Sequence, residues 1–199
     1  MEKMNVLIAC EFSGRVRSEF KKKGHNVTSC DLIASDDSSP DHIIGDIAPL
    51  LKKKYPWDLI IAFPPCQFLA NSGVRWLAGN NDRIHKMQKA AAFFNIFLNA
   101  HCEKIAIENP IQHKYAREII KVKYDQVIQP WQFGEDASKK TCLWLKGLPP
   151  LKHTKIIRKK RYSNQTPSGQ NNLGPGENRA KLRSTTYHGI AQAMANQWG

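Results

Sequence analysis

The 199-residue sequence lacks several features that define common classes of protein. It contains no uninterrupted apolar run of the roughly 18 residues that a membrane-spanning helix needs. The short apolar run at the N-terminus is followed by no cleavage-site pattern, so we expect no secretory signal. With 41% hydrophobic and 9% aromatic residues, the composition excludes a disordered chain. These features predict a globular, cytoplasmic protein of about one domain that does not associate with membranes.

The five cysteines lack the patterns of disulfide frameworks and of zinc sites. They are odd in number, widely spaced and without a Cys-x-x-Cys pair, so we predict neither disulfides nor a bound metal. Cys66 follows two prolines directly after a strand-like run, and such rigid placement suits a nucleophile. The other four lie in or beside apolar runs and are interpreted as small core residues: Cys10, Cys30, Cys102 and Cys142.

Acidic residues are few relative to basic ones. Seventeen Asp and Glu against 30 Lys and Arg give a formal charge of +13, which favours a polyanionic partner over a neutral metabolite. Residues 151–183 contain nine basic residues and one acidic residue, a net charge of +8. A solvated charge run is one explanation, and contact with nucleic-acid phosphates is the one we favour. The central candidates for phosphate contact are Arg158, Lys159, Lys160 and Arg161.

Short apolar runs alternate with helical patterns along most of the chain. Strand-like runs lie at residues 6–10, 25–30, 42–44, 59–63, 105–107, 126–128 and 142–145. Helical patterns lie at residues 15–23, 83–100, 113–121 and 187–197. Strands that alternate with helices require crossover connections, so the sequence predicts an α/β fold with a doubly wound, mostly parallel sheet covered on both faces.

The texture of the sequence changes at Pro149. Paired prolines and the basic run are followed by residues 163–178, which contain almost no apolar side chain. This composition predicts a loop-rich, partly mobile insert. We therefore divide the chain into an α/β domain (1–148), a basic, loop-rich insert (149–183) and a C-terminal helix that packs back on the α/β domain (184–199).

Chemically reactive side chains follow most of the predicted strands. Glu11, Asp31, Asp46 and Glu108 come after the first, second, third and fifth strands, and Cys66 comes after the fourth. Each carboxylate alone is common at a helix start. In open α/β sheets, however, ligands bind at the carboxyl ends of the strands, so five such residues at one edge predict a site. His85, His101 and His113 share no motif with Cys66 and are interpreted as surface or capping residues.

The loop after the first strand has few glycines, which restricts the cofactor. A dinucleotide pyrophosphate needs several glycines so that backbone amides approach the phosphates. Here only Gly14 is present, and Glu11 would repel an anion, so NAD and ATP are disfavoured. A cofactor with ribose and adenine but no phosphate suits better, with Asp31 accepting from ribose hydroxyls and Asp46 or its neighbours facing the adenine amino group. We predict S-adenosylmethionine.

These motifs resemble those of a known family. Phe12-Ser13-Gly14, Asp31, Asp46, Pro64-Pro65-Cys66-Gln67, Asp82-Arg83 and Glu108-Asn109 occur in the order and approximate spacing of the cytosine-5 DNA methyltransferases. The chain looks like the small methyltransferase-like proteins often carried by phages. The resemblance covers about residues 4–147 and 186–198, and its specific part is Pro-Pro-Cys followed later by Glu-Asn.

The resemblance implies a Rossmann-like methyltransferase fold, S-adenosylmethionine as cofactor and methylation of carbon 5 of cytosine in DNA. Cys66 would form a covalent adduct with the base, Glu108 would hydrogen-bond the ring, and Pro65 and Asn109 would shape the two turns. The same resemblance implies that the cofactor contacts Phe12, Ser13, Gly14, Asp31, Leu32, Asp46, Ile47, Phe63 and Pro64. It implies nucleic-acid contacts for Gln67, Lys139 and Lys140, beside the four basic residues of the insert.

Two departures from the family keep alternatives open. The family's Gln-x-Arg-x-Arg segment corresponds only loosely to residues 132–140, so Lys139 and Lys140 stand in for the arginine near the target base. The target recognition region shrinks to residues 149–183. RNA or a free pyrimidine nucleotide is therefore an alternative substrate, and a non-catalytic nucleic-acid-binding protein is an alternative of a different class.

Overall fold

The computed structural model describes residues 2–52, 55–176 and 179–199. Within these residues, seven strands form a single sheet. They are β1 (Asn5–Ala9), β2 (Asn26–Asp31), β3 (His42–Ile44), β4 (Leu59–Ala62), β5 (Ile105–Asn109), β6 (Gln126–Ile128) and β7 (Thr141–Lys146).

Five α-helices are present in the same residues: α1 (Arg15–Lys22), α2 (Asn81–Leu98), α3 (Lys114–Ile120), α4 (Arg179–Ser184) and α5 (His188–Trp198). Short 3₁₀ segments lie at Ala48–Leu51, Asn71–Trp76 and Pro130–Gln132. Every predicted strand and helix is found, with ends that differ by a residue or two. Only α4 was not predicted, because its sequence lies in the polar insert. None of the described helices is long and apolar enough to span a membrane.

The strands are ordered β3-β2-β1-β4-β5-β7-β6. The first five pair in parallel, whereas β7 runs antiparallel to both β5 and β6. The carboxyl ends of β1 to β5 therefore meet at one edge of the sheet, and the start of β7 reaches the same edge because that strand runs the other way. We call this the carboxyl edge. The prediction of a doubly wound, mostly parallel α/β sheet is confirmed.

Both faces of the sheet are buried under helices. Leu7 and Ile60 face a core that includes Phe94 of α2 and Trp144 of β7. The residues next to them in the strands face a second core, which contains Phe20 of α1 together with α5. The α5 residues in that core are Ile190, Ala191, Ala193, Met194, Ala195 and Trp198. Because successive strand residues point to opposite faces, continuous apolar strands such as β4 fill both cores.

The described part of the insert is irregular but well tied to the domain. Ile157 donates its backbone N–H to the Trp131 carbonyl at 2.8 Å, and Thr154 donates to the Gln132 carbonyl at 3.2 Å. The Tyr162 ring stacks on Trp131 with a centroid separation of 6.3 Å. These hydrogen bonds and the ring contact attach this part of the insert to the domain although it has few apolar side chains.

Candidate active site

The loop after β1 folds a carboxylate into the protein interior. Cys10 adopts a left-handed backbone with φ of 58°, which is uncommon for a residue other than glycine and turns the chain sharply at the end of the strand. Glu11 is consequently only 4% exposed. Its Oε1 accepts hydrogen bonds from the Ser13 hydroxyl at 2.6 Å and from the Val16 N–H at 3.4 Å, which ties the loop to the start of α1.

The other carboxylate oxygen of Glu11 is available to a ligand. Oε2 is buried and has no hydrogen-bond partner among the described residues. Burial raises the pKa of Glu11, because a charged group without full solvation is disfavoured. A buried acceptor of this kind requires a donor, so the loop fits a ligand that offers N–H groups or positive charge and does not fit a phosphate.

The single glycine of the first loop is explained by close packing. Gly14 has φ of 69°, and a Cβ at this position would lie 2.6 Å from side-chain atoms of both Arg17 and Asp37. Arg17 is fully buried and bonds to Asp37, Ser29 and Ser35. A larger residue at position 14 would break this contact, so the glycine holds the loop against the segment that follows β2.

Asp31 and Asp46 converge at the ends of β2 and β3. Gly45 donates its N–H to the Asp31 carbonyl at 2.9 Å, which keeps the two strand ends together. Each carboxylate accepts the backbone N–H two residues later through Oδ1, at 3.3 Å for Asp31 and 2.9 Å for Asp46. Burial raises the pKa of the Cys10 thiol, and the charges of Asp31 and Asp46 raise it further. Both carboxylates therefore act on the end of β1.

Apolar residues flank these carboxylates. Leu32 is 76% exposed immediately after Asp31, whereas Ile47 is buried. Phe63 is half-buried and donates its backbone N–H to the Ala9 carbonyl at 2.9 Å, which fixes the chain between β4 and β1. The predicted cofactor residues thus follow β1 to β4 at the carboxyl edge.

The Cys66 turn is attached to the end of β5 by a hydrogen bond. The Cys66 carbonyl accepts the N–H groups of Leu69 at 3.0 Å and Ala70 at 2.9 Å, which closes the turn. Asn109, buried at the end of β5, donates its Nδ2–H to the Pro64 carbonyl at 2.9 Å. The two predicted turns are therefore joined by a buried hydrogen bond, and Cys66 itself is exposed at the edge.

His113 fixes the far side of the same turn. Its Nδ1 accepts the Ala116 N–H at 3.1 Å and caps α3, so its Nε2 carries the proton and donates to the Phe68 carbonyl at 2.9 Å. The prediction that His113 caps a helix is confirmed, and His85 and His101 are exposed as expected. What the sequence did not indicate is the bond to Phe68, which joins partners 45 residues apart.

Three charged side chains act on the Cys66 thiol. Although Cys66 reaches solvent, the protein around its thiol raises the pKa, and the charge of Glu108 raises it further. The positive charges of Lys139 and Arg183 lower it. Glu108 Oε1 lies 3.9 Å from Lys139 Nζ, so these two groups form a loose ion pair at the ends of β5 and the start of β7.

Arg183 influences the site, although the sequence analysis counted it only as part of the basic stretch 151–183. It belongs to α4, whose Lys181 lies 2.5 Å from Asp36 Oδ1 and 5.4 Å from the centre of the Phe12 ring. The helix is thereby held on the first loop, and from it the charge of Arg183 lowers the pKa of Cys66. No local pattern predicts this, because the contacts join residues far apart in the chain.

Asn164 is a second residue that sequence reasoning missed. Its Oδ1 accepts the Ser138 N–H and its Nδ2 donates to the Ser138 carbonyl, both at 2.9 Å. On the other side, Lys139 donates its backbone N–H to Gln129 Oε1 at 3.0 Å. The insert therefore holds the backbone from which Lys139 extends.

The basic residues of the insert have different surroundings. Lys159 Nζ lies 2.6 Å from Asp136 Oδ2 and is thus attached to the segment that precedes Lys139. Within the described part of the chain, Arg158, Lys160 and Arg161 are exposed and form no ion pair. Gln67 and Lys140 are exposed as well.

All five cysteines are free thiols. Among residues 2–52, 55–176 and 179–199, no three His, Cys, Asp or Glu side chains lie close enough together to hold a metal ion.

Comparison with known proteins agrees with this architecture. No family model and no curated protein matches the sequence. A solved structure of a prophage-encoded Escherichia coli protein, named as a DNA modification methyltransferase, superposes with a TM-score of 0.51 at 18% identity, over 78% of this chain. The methyltransferase EhMeth of Entamoeba histolytica gives a TM-score of 0.50 at 18% identity, over 80% of this chain.

The chain has the fold of these two methyltransferases. The resemblance found in the sequence is thus confirmed at the level of the fold. The chain spans 52% of the length of the Escherichia coli protein and 58% of EhMeth. Within this methyltransferase fold, the two clusters at the carboxyl edge occupy neighbouring strand ends, with the carboxylates at β1 to β3 and the thiol at β4.

Proposed function

We propose that this protein is an S-adenosylmethionine-dependent methyltransferase that methylates carbon 5 of cytosine in DNA through a covalent adduct with Cys66. The observation that carries the proposal is the juxtaposition of the Cys66 turn with the end of β5. The Asn109–Pro64 hydrogen bond joins the two turns, and the charge of Glu108 acts on the thiol. A nucleophile and a carboxylate fixed side by side fit attack on a base held by its polar edge.

The first half of the carboxyl edge fits the cofactor. The orphaned Glu11 Oε2 would accept from a positively charged or N–H-bearing group, and Asp31 and Asp46 would accept from hydroxyl and amino groups. Exposed Leu32 offers apolar surface to a flat ring. Bound S-adenosylmethionine would supply an electrophilic methyl group, and these residues would orient it toward β4.

Cys66 and Glu108 would perform the steps on the base. The Cys66 thiolate adds to carbon 6 of cytosine, forming a carbon–sulfur bond and making carbon 5 nucleophilic. The carboxyl group of Glu108, carrying a proton taken up from solvent, donates it to the ring nitrogen and accepts from the exocyclic amine, which neutralises the negative charge that develops on the ring. Once carbon 5 carries the methyl group, its proton passes to a water molecule and the electrons of that carbon–hydrogen bond restore the double bond between carbons 5 and 6. The carbon–sulfur bond breaks at the same time, and its electron pair returns to the sulfur as thiolate.

Lys139 and Arg183 would favour the thiolate form of Cys66 through their positive charges. Both lower the pKa of Cys66 and so oppose the effects of burial and of Glu108. Together with the exposed cations of the insert, they would attract the phosphates of DNA. A base inside a duplex has to leave the helix before a thiol can reach it, and backbone contacts of this kind hold the strand while it does.

The decisive experiment is methyl transfer from labelled S-adenosylmethionine to DNA, RNA and free pyrimidine nucleotides in separate reactions. We expect label in DNA with the wild type and none with Cys66→Ala. Cys102→Ala should retain activity, because it changes a buried thiol just before β5, at the opposite edge of the sheet from Cys66. DNA containing 5-fluorocytosine should form a stable adduct with the wild type, because fluorine prevents the loss of a proton from carbon 5.

The other outcomes identify the alternatives. Label in RNA or nucleotide alone would assign the substrate to that class. DNA binding without transfer to any substrate would identify a non-catalytic nucleic-acid-binding protein. Transfer at the wild-type rate by Cys66→Ala would disprove covalent catalysis by this residue.

A further inference from the structure

The 3₁₀ segment Asn71–Trp76, between the Cys66 turn and α2, touches the core only through Val74, which is partly buried. None of its six residues is buried, and the Trp76 side chain is 56% exposed. Leu77, the next residue, is only 6% exposed and packs into the domain. A large aromatic side chain left in solvent next to a buried anchor is not explained by packing.

The segment is held in place at both ends. Asn71 donates its backbone N–H to the Ile111 carbonyl at 3.0 Å, just beyond the end of β5. Leu77 donates to the Val74 carbonyl at 3.1 Å. Because residues 63–80 connect the carboxyl end of β4 to the start of α2, Trp76 lies at the same edge of the sheet as Cys66.

Positive charge surrounds the exposed indole. The Arg75 guanidinium lies 4.7 Å from the centre of the Trp76 ring, within the range of a cation–π contact. Arg83 lies 5.2 Å from the centre of the Phe68 ring in the same region. The nearby acidic residue Asp82 is paired with Lys86 at 2.7 Å. The surface therefore combines an aromatic face with cations, which suits an aromatic group on a polyanion and is less suited to an apolar protein surface.

We propose that Trp76 and Arg75 form a stacking site for an unpaired nucleobase of the strand that carries the target cytosine. The indole stacks on the base and the guanidinium pairs with the adjacent phosphate. Stacking recognises the face that all bases share, so this site binds a melted or single-stranded stretch without reading its sequence. The location beside a reacting base rests on the function proposed above, whereas binding of single-stranded DNA at Trp76 does not.

The test uses tryptophan fluorescence with a short oligothymidine, which contains no cytosine. The other four tryptophans are buried or half-buried: Trp57, Trp131, Trp144 and Trp198. We expect oligothymidine to quench the wild-type fluorescence and expect Trp76→Phe to abolish the quench while nearly preserving affinity. Trp76→Ala should raise the Kd by about 5- to 150-fold. Val122→Ala truncates another exposed apolar side chain, which follows α3 at the opposite edge of the sheet, and should leave the Kd unchanged.

The outcomes separate this inference from the proposed function. A quench that persists in Trp76→Phe, or an unchanged Kd in Trp76→Ala, overturns the stacking site even if the protein methylates DNA. Loss of self-association in Trp76→Ala, measured by sedimentation without DNA, also overturns it and assigns the surface to a second copy. Conversely, a Trp76-dependent quench in a protein that transfers no methyl group supports the stacking site and refutes the enzymatic proposal.

Discussion

The two halves of the carboxyl edge carry different chemistry. At β1 to β3 the strand ends present the carboxylates of Glu11, Asp31 and Asp46, one of them with a buried oxygen that lacks a partner. At β4 and β5 they present a thiol and a carboxylate, and the charges of Lys139, just before β7, and of Arg183, on α4, lower the pKa of the thiol. One continuous sheet thus offers an acceptor-rich surface beside a charge-balanced nucleophile.

This difference indicates that the two halves of the carboxyl edge suit different ligands. Glu11, Asp31 and Asp46 form no ion pair among the described residues, although the charge of Arg17 lowers the pKa of Glu11. Such carboxylates suit a ligand rich in hydroxyl and amino donors and disfavour phosphates. A thiol with cations nearby suits a nucleophile that works next to a polyanion. Helix α4 links the halves, because Lys181 binds the Asp36 side while Arg183 acts on Cys66.

The largest effect within this comparison is expected for Glu108→Gln. The amide still hydrogen-bonds the base but has no proton to transfer to the ring nitrogen, so turnover should fall by about 10²- to 10³-fold. The same change removes a negative charge that raises the pKa of Cys66, so alkylation of the thiol by iodoacetamide at neutral pH should become faster. Slower alkylation together with slower turnover would indicate a general structural defect instead.

Asp31→Ala and Asp46→Ala test the other half. Each should weaken S-adenosylmethionine binding by about 1 to 3 kcal/mol, because a ligand donor loses its acceptor. Calorimetry measures the affinity directly, and Asp82→Ala on α2 serves as a control in which an exposed carboxylate is removed away from the cofactor. Glu108→Gln should leave this affinity unchanged. If both aspartate variants bind normally, the cofactor does not lie at β2 and β3.

Lys139→Met should shift the pH dependence of the thiol. Lys139 lowers the pKa of Cys66, so its removal raises that pKa, and at any pH below it a smaller fraction of Cys66 is thiolate. The profiles of alkylation and of turnover against pH should both move to higher pH. Lys140→Met is the matched control, because the charge of Lys140 lowers the pKa of Cys142 instead. Equal shifts in both variants would show that total charge matters and position does not.

Asn164→Ala should give a smaller shift in the same direction. Without its two bonds to Ser138, the backbone beneath Lys139 is released, and the ammonium spends less time near Cys66. In the double variant with Lys139→Met the shift should equal that of Lys139→Met alone, because Asn164 acts through Lys139. An additive shift would refute the positioning role.

The smallest effect concerns the insert. Arg158→Ser should reduce the slope of log affinity for DNA against log salt by about 0.9, the contribution of one phosphate contact. Lys159→Ser should change the slope less, because Lys159 is attached to Asp136, and should instead lower the melting temperature slightly. The reverse pattern would assign the phosphate contact to Lys159.

Much of this architecture follows from local sequence patterns. Apolar runs and their helical neighbours located the seven strands and four of the five helices, because burial on both sheet faces requires continuous apolar strands. The residues after those runs identified Glu11, Asp31, Asp46, Cys66 and Glu108, since parallel strands deliver their carboxyl ends to one edge. The resemblance of the motifs to methyltransferases anticipated the fold.

What the tertiary structure alone decided is long-range. The place of β7 between β5 and β6 brings Lys139 to Glu108, and Asn164 secures that position from 26 residues away. Helix α4 forms in polar sequence and is held by Lys181 on Asp36, and from this helix the charge of Arg183 lowers the pKa of Cys66. These contacts depend on which residues far apart in the chain form ion pairs or hydrogen bonds with one another. The spacing of residues within one segment does not predict such pairs.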